Sequence, residues 1–454
     1  MAAVPIAEVP AKQRERYESL SKTFHSIYAK KPDFFARAPG RVNLIGEHID
    51  YCGYAVLPMA IEQDIVIAAA QSDDDEIQLN NSDSKYAPFH CKTTKYAIDR
   101  DAPKWFHYFL CGFRGICENF QLQQPRGMQL LIDGCIPASS GLSSSSALVC
   151  CAALATMRIN DLHLSKVELS ELCQHCERHI GTEGGGMDQA ISFLAEAGTA
   201  KLIEFNPLTT TDVTLPHGAA FVIANSCVEM NKGATDHFNI RVAECRLATQ
   251  VLAKSLSLPT DQVKKLSDVQ LKSGRRLSEM ISFVEEVLHV APYTRQEIAD
   301  LLGLTEDELR DRFLTARSQM VDLFNLRQRS LHVFSEADRV LKFKDMCSKS
   351  PADALLQLGN LMNDSHHSCS KLYDCSCQQL DELCALAVES GALGSRLTGA
   401  GWGGCTVSLI PEDKTEIFCE KIRSFYEERP ERMARIDASL FASCPGKGAA
   451  FYSL

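Results

Sequence analysis

The chain has 454 residues, 45% of them hydrophobic, and a formal net charge of −11. That length favours two or three domains over one, and the acidic balance excludes a general affinity for nucleic acid or an anionic membrane. The longest apolar run, Ala147 to Met157, is too short to cross a bilayer, so no transmembrane helix is expected.

The N-terminus carries charge where a secretory signal needs its hydrophobic segment, and the expected address is cytoplasmic. Residues 14 to 30 read as an amphipathic helix. The stretch "PDFFARAPGRVNLIGEHIDYCGYAVLPMAI" alternates short apolar segments with Gly and Pro and then runs into "DIVIAAAQ", so the first 135 residues predict sheet interrupted by turns. A helix is expected from about Ser144, and another from a capping box of Ser165 and Glu168. "TAKLIEF", "LTTTDVTLP" and "AAFVIANS" read as strands, with a domain boundary near residue 213. Residues 257 to 345 are helical and charged, with capping boxes at Thr294/Glu297 and Thr305/Glu308, and predict a helical layer or insertion. Beyond it, "ALGSRLTGAGWGGCTVSLI" is a glycine loop followed by a strand. The nineteen cysteines are scattered, many in aliphatic surroundings, and odd in number, which reads as reduced, structural thiols.

Three stretches carry chemistry. In "IPASSGLSSSSALVCCAALATM" four consecutive serines, Ser143, Ser144, Ser145 and Ser146, stand at the mouth of an apolar helix. A helix N-terminus presents unpaired N–H groups and partial positive charge, a glycine lets an anion approach, and serine hydroxyls add donors or bind a hard cation such as Mg²⁺. The competing reading is a flexible Ser/Gly linker, which is not normally joined to a long apolar helix. Gly399, Gly401 and Gly404 fit the dinucleotide fingerprint, but "CTVSLI" follows as a strand where that fingerprint must open a helix; a tight loop approaching another ligand or backbone remains open.

"GRVNLIGEHID" crowds Arg41, Asn43, Glu47, His48 and Asp50 among glycines. Such groups suit a polyhydroxylated ligand, because each sugar hydroxyl both donates and accepts; solvated loop polarity or a metal pair are the alternatives. "GTEGGGMDQ" sets Asp188 after a glycine run. A carboxylate there serves as a base beside a cation such as Arg41, or simply caps a helix. Three other features carry weaker readings. "QEIADLLGLTEDELRDRF" has a helix-turn-helix pattern but is too acidic for DNA, and the tract His366, His367, Cys369, Cys375, Cys377 and the pair Cys173/Cys176 have zinc-like residues without a matched second pair.

Together the first three stretches and their order resemble the galactokinase branch of the GHMP kinases, over residues 33 to 452: "PGRVNLIGEHIDY" is similar to the galactokinase signature, "IPASSGLSSSSAL" to the family's phosphate loop and "GSRLTGAGWGGCTVSL" to its third, glycine-rich motif. The resemblance implies an α+β, two-domain GHMP kinase fold. The expected N-terminal domain spans 20–212, with mixed sheet and helices. The expected C-terminal domain spans 213–454 and is ferredoxin-like, with a helical insertion at 257–345 and the active site in the cleft between the two. It implies transfer of the γ-phosphoryl group of ATP, with Mg²⁺, to a sugar's anomeric hydroxyl. On the matching positions Asp188 is the implied base with Arg41 beside it. Arg41, Glu47, His48, Asp50, Gly185 and Asp188 are implied to hold the sugar, and Gly141, Ser143, Ser144, Asn231 and Lys232 to hold the nucleotide. Ser145 is implied to sit near the metal, with Glu177, one residue closer to Asp188 than the family's spacing, as a second metal-side carboxylate.

Phe238, where galactokinases usually place tyrosine, and the glycine-rich "TEGGGMDQ" resemble the N-acetylgalactosamine kinase subgroup. The expectation is therefore an N-acetylgalactosamine 1-kinase with weaker activity on galactose; the alternatives are a galactokinase proper and a non-catalytic galactose/ATP sensor on the same fold. The retained Ser146, Ala147, Asp188 and Arg41 lean against the sensor. Expected partners are a small sugar and ATP, with no nucleic acid or membrane, and the chain is expected to be a monomer.

Overall fold

The computed structural model describes residues 4–229, 236–315 and 318–454. The strands, in chain order, are β1 (Ile6–Glu8), β2 (Phe34–Ile45), β3 (Leu57–Gln71), β4 (Glu76–Asn81), β5 (Phe89–Lys92), β6 (Met128–Gly134), β7 (Ala200–Glu204), β8 (Thr209–Val213), β9 (Ala219–Asn225), β10 (Tyr293–Thr294), β11 (Leu323–Phe324), β12 (Gly394–Thr398), β13 (Cys405–Pro411), β14 (Leu440–Ser443) and β15 (Ala450–Ser453). A mixed seven-stranded sheet has the order β1-β15-β2-β3-β6-β4-β5. β7 and β8 form a hairpin, and β10 and β11 pair antiparallel across the two short helices that separate them in the chain.

The apolar run of β3 is explained by cover on both faces. Val66, Ala68 and Ala70 pack with Tyr17, Leu20 and Phe24 of the helix Arg14–Tyr28. The alternate residues Ile65, Ile67 and Ala69 belong to the main core with the helix Ser144–Ile159. From Ala147 to Ala155 that helix is made only of Ala, Val, Leu and Cys, because it is enclosed between the sheet and the helix Trp105–Asn119.

The second sheet is antiparallel, β12-β13-β9-β14. With the long helical connection between β9 and β12 and the helix Thr415–Glu427 between β13 and β14, it has the ferredoxin-like βαββαβ plan expected. The division between the sheets falls between Val213 and Ala219, but β1 and β15 lie outside residues 20–212 and still belong to the first sheet. The chain therefore closes by returning its last strand to the sheet it began with.

Residues 257 to 345 hold the helices Leu266–Ser273, Leu277–Val287, Arg295–Leu302, Glu306–Phe313 and most of Leu326–Lys349. Ser165, Thr294 and Thr305 each cap as their spacing predicts, accepting from the N–H three residues on. The helix-turn-helix pattern is a pair of short helices that bury Ile298, Ala299 and Leu309.

One local expectation is corrected. Residues 34 to 45 are a single long strand rather than segments separated by turns, and Pro39 and Gly40 sit at a register shift against β3. Proline has no N–H to give to a ladder and is tolerated at a bulge. The bulge turns the Arg41 N–H to the Leu142 carbonyl at 3.1 Å, joining the sheet to the serine loop.

Candidate active site

Arg41 is the hinge of the site. Its Nε donates to Asp188 Oδ1 at 2.8 Å and its guanidinium also donates to the Gly141 carbonyl at 2.5 Å, so one side chain spans the predicted base and the serine loop. Asp188 is the second residue of the helix Met187–Leu194, where the first-turn N–H groups favour a negative charge, and Ser146 donates to its other oxygen at 3.4 Å. Ser146 also donates to Glu177. Asp188 thus combines the two roles its sequence context left open, a carboxylate at a helix start and a carboxylate beside a cation.

The 41–50 stretch forms a pocket with Gly184, Gly185, Gly186, Asp188 and Phe238. Glu47 is buried, and its Oε2 accepts from Arg396 at 3.2 Å and the Gly399 N–H at 3.1 Å. Burial pushes its pKa up, against the pull of Arg396 and Arg41. His48 has φ +62 and lines the pocket, with both ring nitrogens engaged. Nε2 lies 2.9 Å from the Ala400 carbonyl, which can only accept, so Nε2 carries the proton and Nδ1 accepts from Tyr51 at 2.8 Å. Tyr51 meets Tyr373 at 2.5 Å, and burial raises both phenols, which keeps them protonated. Phe238 sits against His48 and Tyr51, at centroid distances of 5.7 and 5.5 Å. Asp50 accepts from the Met187 N–H at 3.4 Å, and a Cβ on Gly185 would stand 2.4 Å from the Asp50 carboxyl carbon, which is why that crossing needs glycine.

Arg41, Asp188 and Ala400 line both this pocket and a neighbouring cleft of about 1010 Å³. Its walls include Gly141, Ser143, Ser144 and Ser145, with Trp105 and Tyr108 farther out. Ser143 stands before the helix Ser144–Ile159 at φ +61 and makes no capping bond; its hydroxyl is buried and has no hydrogen-bond partner among the described residues. Unpaired N–H groups at such a helix start favour an anion. The glycines of the third motif serve backbone contact: a Cβ on Gly399 would stand 2.4 Å from the Gly141 carbonyl oxygen, so the two loops touch main chain to main chain. Asn231 and Lys232 lie outside the described residues.

The structure therefore gathers Arg41, Glu47, His48, Asp50, Gly185 and Asp188 around one pocket, and Gly141, Ser143, Ser144 and Ser145 along the adjoining cleft, with Glu177 beneath Ser146. Tyr373, Arg396 and Ala400 were not singled out from sequence. Arg396 and Ala400 lie inside the third motif, whereas Tyr373 comes from the Cys-rich tract, whose histidine His366 instead contacts Asp381 at 3.2 Å. Among the described residues no three His, Cys, Asp or Glu side chains converge as a metal site, all nineteen cysteines are free thiols, and no helix is long and apolar enough to cross a membrane.

Comparison with known proteins matches three family models: the galactokinase galactose-binding signature over residues 22–71, the GHMP kinase N-terminal domain over 107–196 and the GHMP kinase C-terminal domain over 352–428. The chain is 42% identical to a galactokinase of Dictyostelium discoideum, covering 97% of this chain and 94% of that one, and 35% identical to a galactokinase of Saccharomyces cerevisiae, covering 98% and 96%. Its fold matches a galactose complex of Lactococcus lactis galactokinase with a TM-score of 0.74 at 24% identity, covering 96% of this chain and 99% of that one. It also matches the mevalonate kinase of Methanococcus jannaschii with a TM-score of 0.53 at 18% identity, covering 91% and 98%. The N-acetylgalactosamine subgroup expected from Phe238 and Glu183–Gly186 finds no support in these relatives, whose names favour the galactokinase alternative.

Proposed function

The chain belongs to the galactokinases of the GHMP kinase family and is an ATP-dependent sugar 1-kinase; from that premise we propose that galactose is its acceptor and that the pocket around Arg41, Glu47, His48, Asp50, Gly185 and Asp188 holds it. The observation that carries the site assignment is Arg41, which touches both Asp188 and the serine loop and so sets the sugar pocket against the nucleotide cleft.

Asp188 accepts the proton of the anomeric hydroxyl as the sugar oxygen bonds to the γ-phosphorus and the bond to the bridging oxygen of ADP breaks. Arg41 keeps Asp188 ionised and offsets the charge that develops on the attacking oxygen. Ser143, Ser144 and the N–H groups behind them take the phosphates, and the orphaned Ser143 hydroxyl fits that use. Ser145 on the cleft wall and Glu177 behind Ser146 would be the hard oxygen donors for a divalent cation such as Mg²⁺, which would supply positive charge to offset that of the phosphates. Most of the catalysis in such a transfer is positioning and charge neutralisation.

A second reading, N-acetylgalactosamine as the preferred acceptor, is favoured by one observation: Phe238 and Gly184–Gly186 both face the pocket, so the wall there lacks a hydroxyl and side-chain bulk. A coupled ADP assay over galactose, N-acetylgalactosamine, their gluco epimers and mevalonate separates the readings. Comparable or better kcat/KM on galactose supports the first, and a clear excess on N-acetylgalactosamine supports the second. ADP release with mevalonate and none with any hexose would sink both.

A further inference from the structure

The helical segment between residues 257 and 345 has no part in the function so far, yet it buries an ionised carboxylate against the sugar loop. Glu336 lies on the helix Leu326–Lys349 and is 0% exposed. Its Oε1 accepts from the Gly46 N–H at 2.8 Å, the Glu47 N–H at 3.3 Å and the Ser365 hydroxyl at 2.7 Å, and its Oε2 pairs with Arg339 at 2.7 Å. One turn earlier His332 takes the Glu47 carbonyl, Nε2 to O 3.0 Å, with Nδ1 facing the Ser368 hydroxyl at 2.8 Å.

We propose that Glu336 and His332 are positioning residues for the sugar pocket, clamping the peptide groups of Gly46 and Glu47 so that Glu47, His48 and Asp50 are presented in one arrangement. The clamp falls where the chain bends sharply: Gly46 has φ +104, which glycine adopts freely, and His48 has φ +62, in the left-handed region that costs a residue with a Cβ. Successive N–H groups turned to one side form a nest for an anion, and the protein supplies that anion itself. The arrangement extends to the side chain of the loop. Ser365, which donates to Glu336, accepts from Arg396 Nε at 3.1 Å, and Arg396 donates to Glu47 Oε2 and to the Asn43 carbonyl at 2.6 Å. Main chain and carboxylate of Glu47 are thus held by one buried network contributed from the second half of the chain. Burial alone would raise the Glu336 pKa, but Arg339 and Arg396 hold it at about 2, so the clamp stays charged.

The inference rests on the reading of residues 41–50 as sugar-binding. Its test is steady-state kinetics of the full chain and of Glu336→Gln with the sugar and Mg·ATP varied separately, alongside a thermal melt. Glu336→Gln puts an amide where a carboxylate gathers four donors, and the expected result is a KM for sugar raised about tenfold, the order that one lost charge-assisted bond carries. The KM for Mg·ATP should stay within about twofold, since that change is under half a kcal/mol. Glu336→Asp, which keeps the charge but not the reach, should fall between. Unchanged sugar KM in a folded variant, or equal changes for both substrates, overturns the clamp while leaving the parent's sugar kinase activity to speak for the site itself. If Glu336→Gln does not fold, His332→Gln gives the same decision, because it loosens the same peptide and is also expected to raise the sugar KM alone.

Discussion

The two loops that meet at Arg41 are built on opposite plans. Residues 46 to 50 have their polar groups matched inside the protein: Glu47 to Arg396 and Gly399, His48 to Ala400 and Tyr51, the Gly46 and Glu47 N–H groups to Glu336, whereas the buried side-chain amide of Asn43, just before them, has no partner among the described residues. The serine loop keeps an orphaned hydroxyl on Ser143 and an uncapped helix start at Ser144. The difference suits the ligands proposed for the two loops. A neutral sugar offers weak, directional hydrogen bonds, so discrimination requires groups already fixed in place, whereas a polyanion brings enough charge to order the donors it meets. The first loop is settled before binding, and the second is completed by it.

The largest effect is expected where the loops join. Asp188→Asn keeps the size of the side chain and the bond from Ser146 but cannot take a proton, so turnover should fall by about 10³-fold, within the range for a lost general base. Nucleotide binding, followed by displacement of a fluorescent analogue, should be nearly unchanged. Turnover near the parent rate would remove Asp188 as the base and leave Arg41 as a purely structural link.

The next effect belongs to the enclosed loop alone. His332 is neutral in the fold because burial lowers its pKa to about 4 from an ordinary 6.5. A depressed folded pKa means the contribution is fully present above pH 6.5 and is lost as pH falls toward 4. Glu336 follows in a lower window, present above 4.5 and lost toward 2. Protonation of His332 would add charge beside Arg339 and Arg396, in a site where Glu336 is the facing acid. The parent should lose on the order of 2 kcal/mol more than His332→Gln between pH 7 and pH 5, read from urea midpoints at each pH. Equal losses in both proteins would show that this side of the site is not where acid acts.

Much of this contrast was legible in the sequence. Arg41, Asp188 and the serines stand in short motifs whose chemistry depends on neighbours along the chain, and the capping boxes at Ser165, Thr294 and Thr305 are local in the same way. What escaped is the support. Glu336 reaches Gly46 across 290 positions, and Tyr373 reaches Tyr51 across 322. No periodicity records which buried acid will face which peptide. The one available signal was His332, Glu336 and Arg339 at i, i+4 and i+7, a polar stripe sharing a helix with Val333 and Val340, which reads as surface charge until the helix is found enclosed. The strand through Pro39 and Gly40 was missed for a related reason: a bulge and a turn have the same local composition, and only the partner strand separates them.

The serine loop makes a smaller and opposite prediction. Ser143→Ala removes a buried hydroxyl that has no partner among the described residues, and both residues carry a Cβ at φ +61, so the backbone strain is the same. The free protein should become slightly more stable, by about 1 kcal/mol, because an unsatisfied polar group is lost. The KM for Mg·ATP should rise about fivefold, since the bond that hydroxyl makes to phosphate is lost as well. A variant that is both less stable and unchanged toward ATP would mean the hydroxyl is already satisfied in the free protein, and the contrast between the loops would weaken.

The smallest effect tests how complete the enclosed pocket is. Phe238 packs on both His48 and Tyr51, and its ring offers the pocket no hydrogen-bond donor. Phe238→Tyr adds a hydroxyl at the ring edge with little change in shape. If that edge faces the acceptor's C2 side, the new hydroxyl helps galactose, which carries a hydroxyl there, and crowds the acetamido group of N-acetylgalactosamine. The ratio of kcat/KM for galactose over N-acetylgalactosamine should rise by about threefold to tenfold, the worth of one hydrogen bond at a partly solvated site. Mg·ATP kinetics should not move, because Phe238 touches the sugar loop and not the serines. An unchanged ratio with both sugars equally affected would place the C2 side of the acceptor elsewhere in the pocket, and Gly184–Gly186 would then be the wall to alter next.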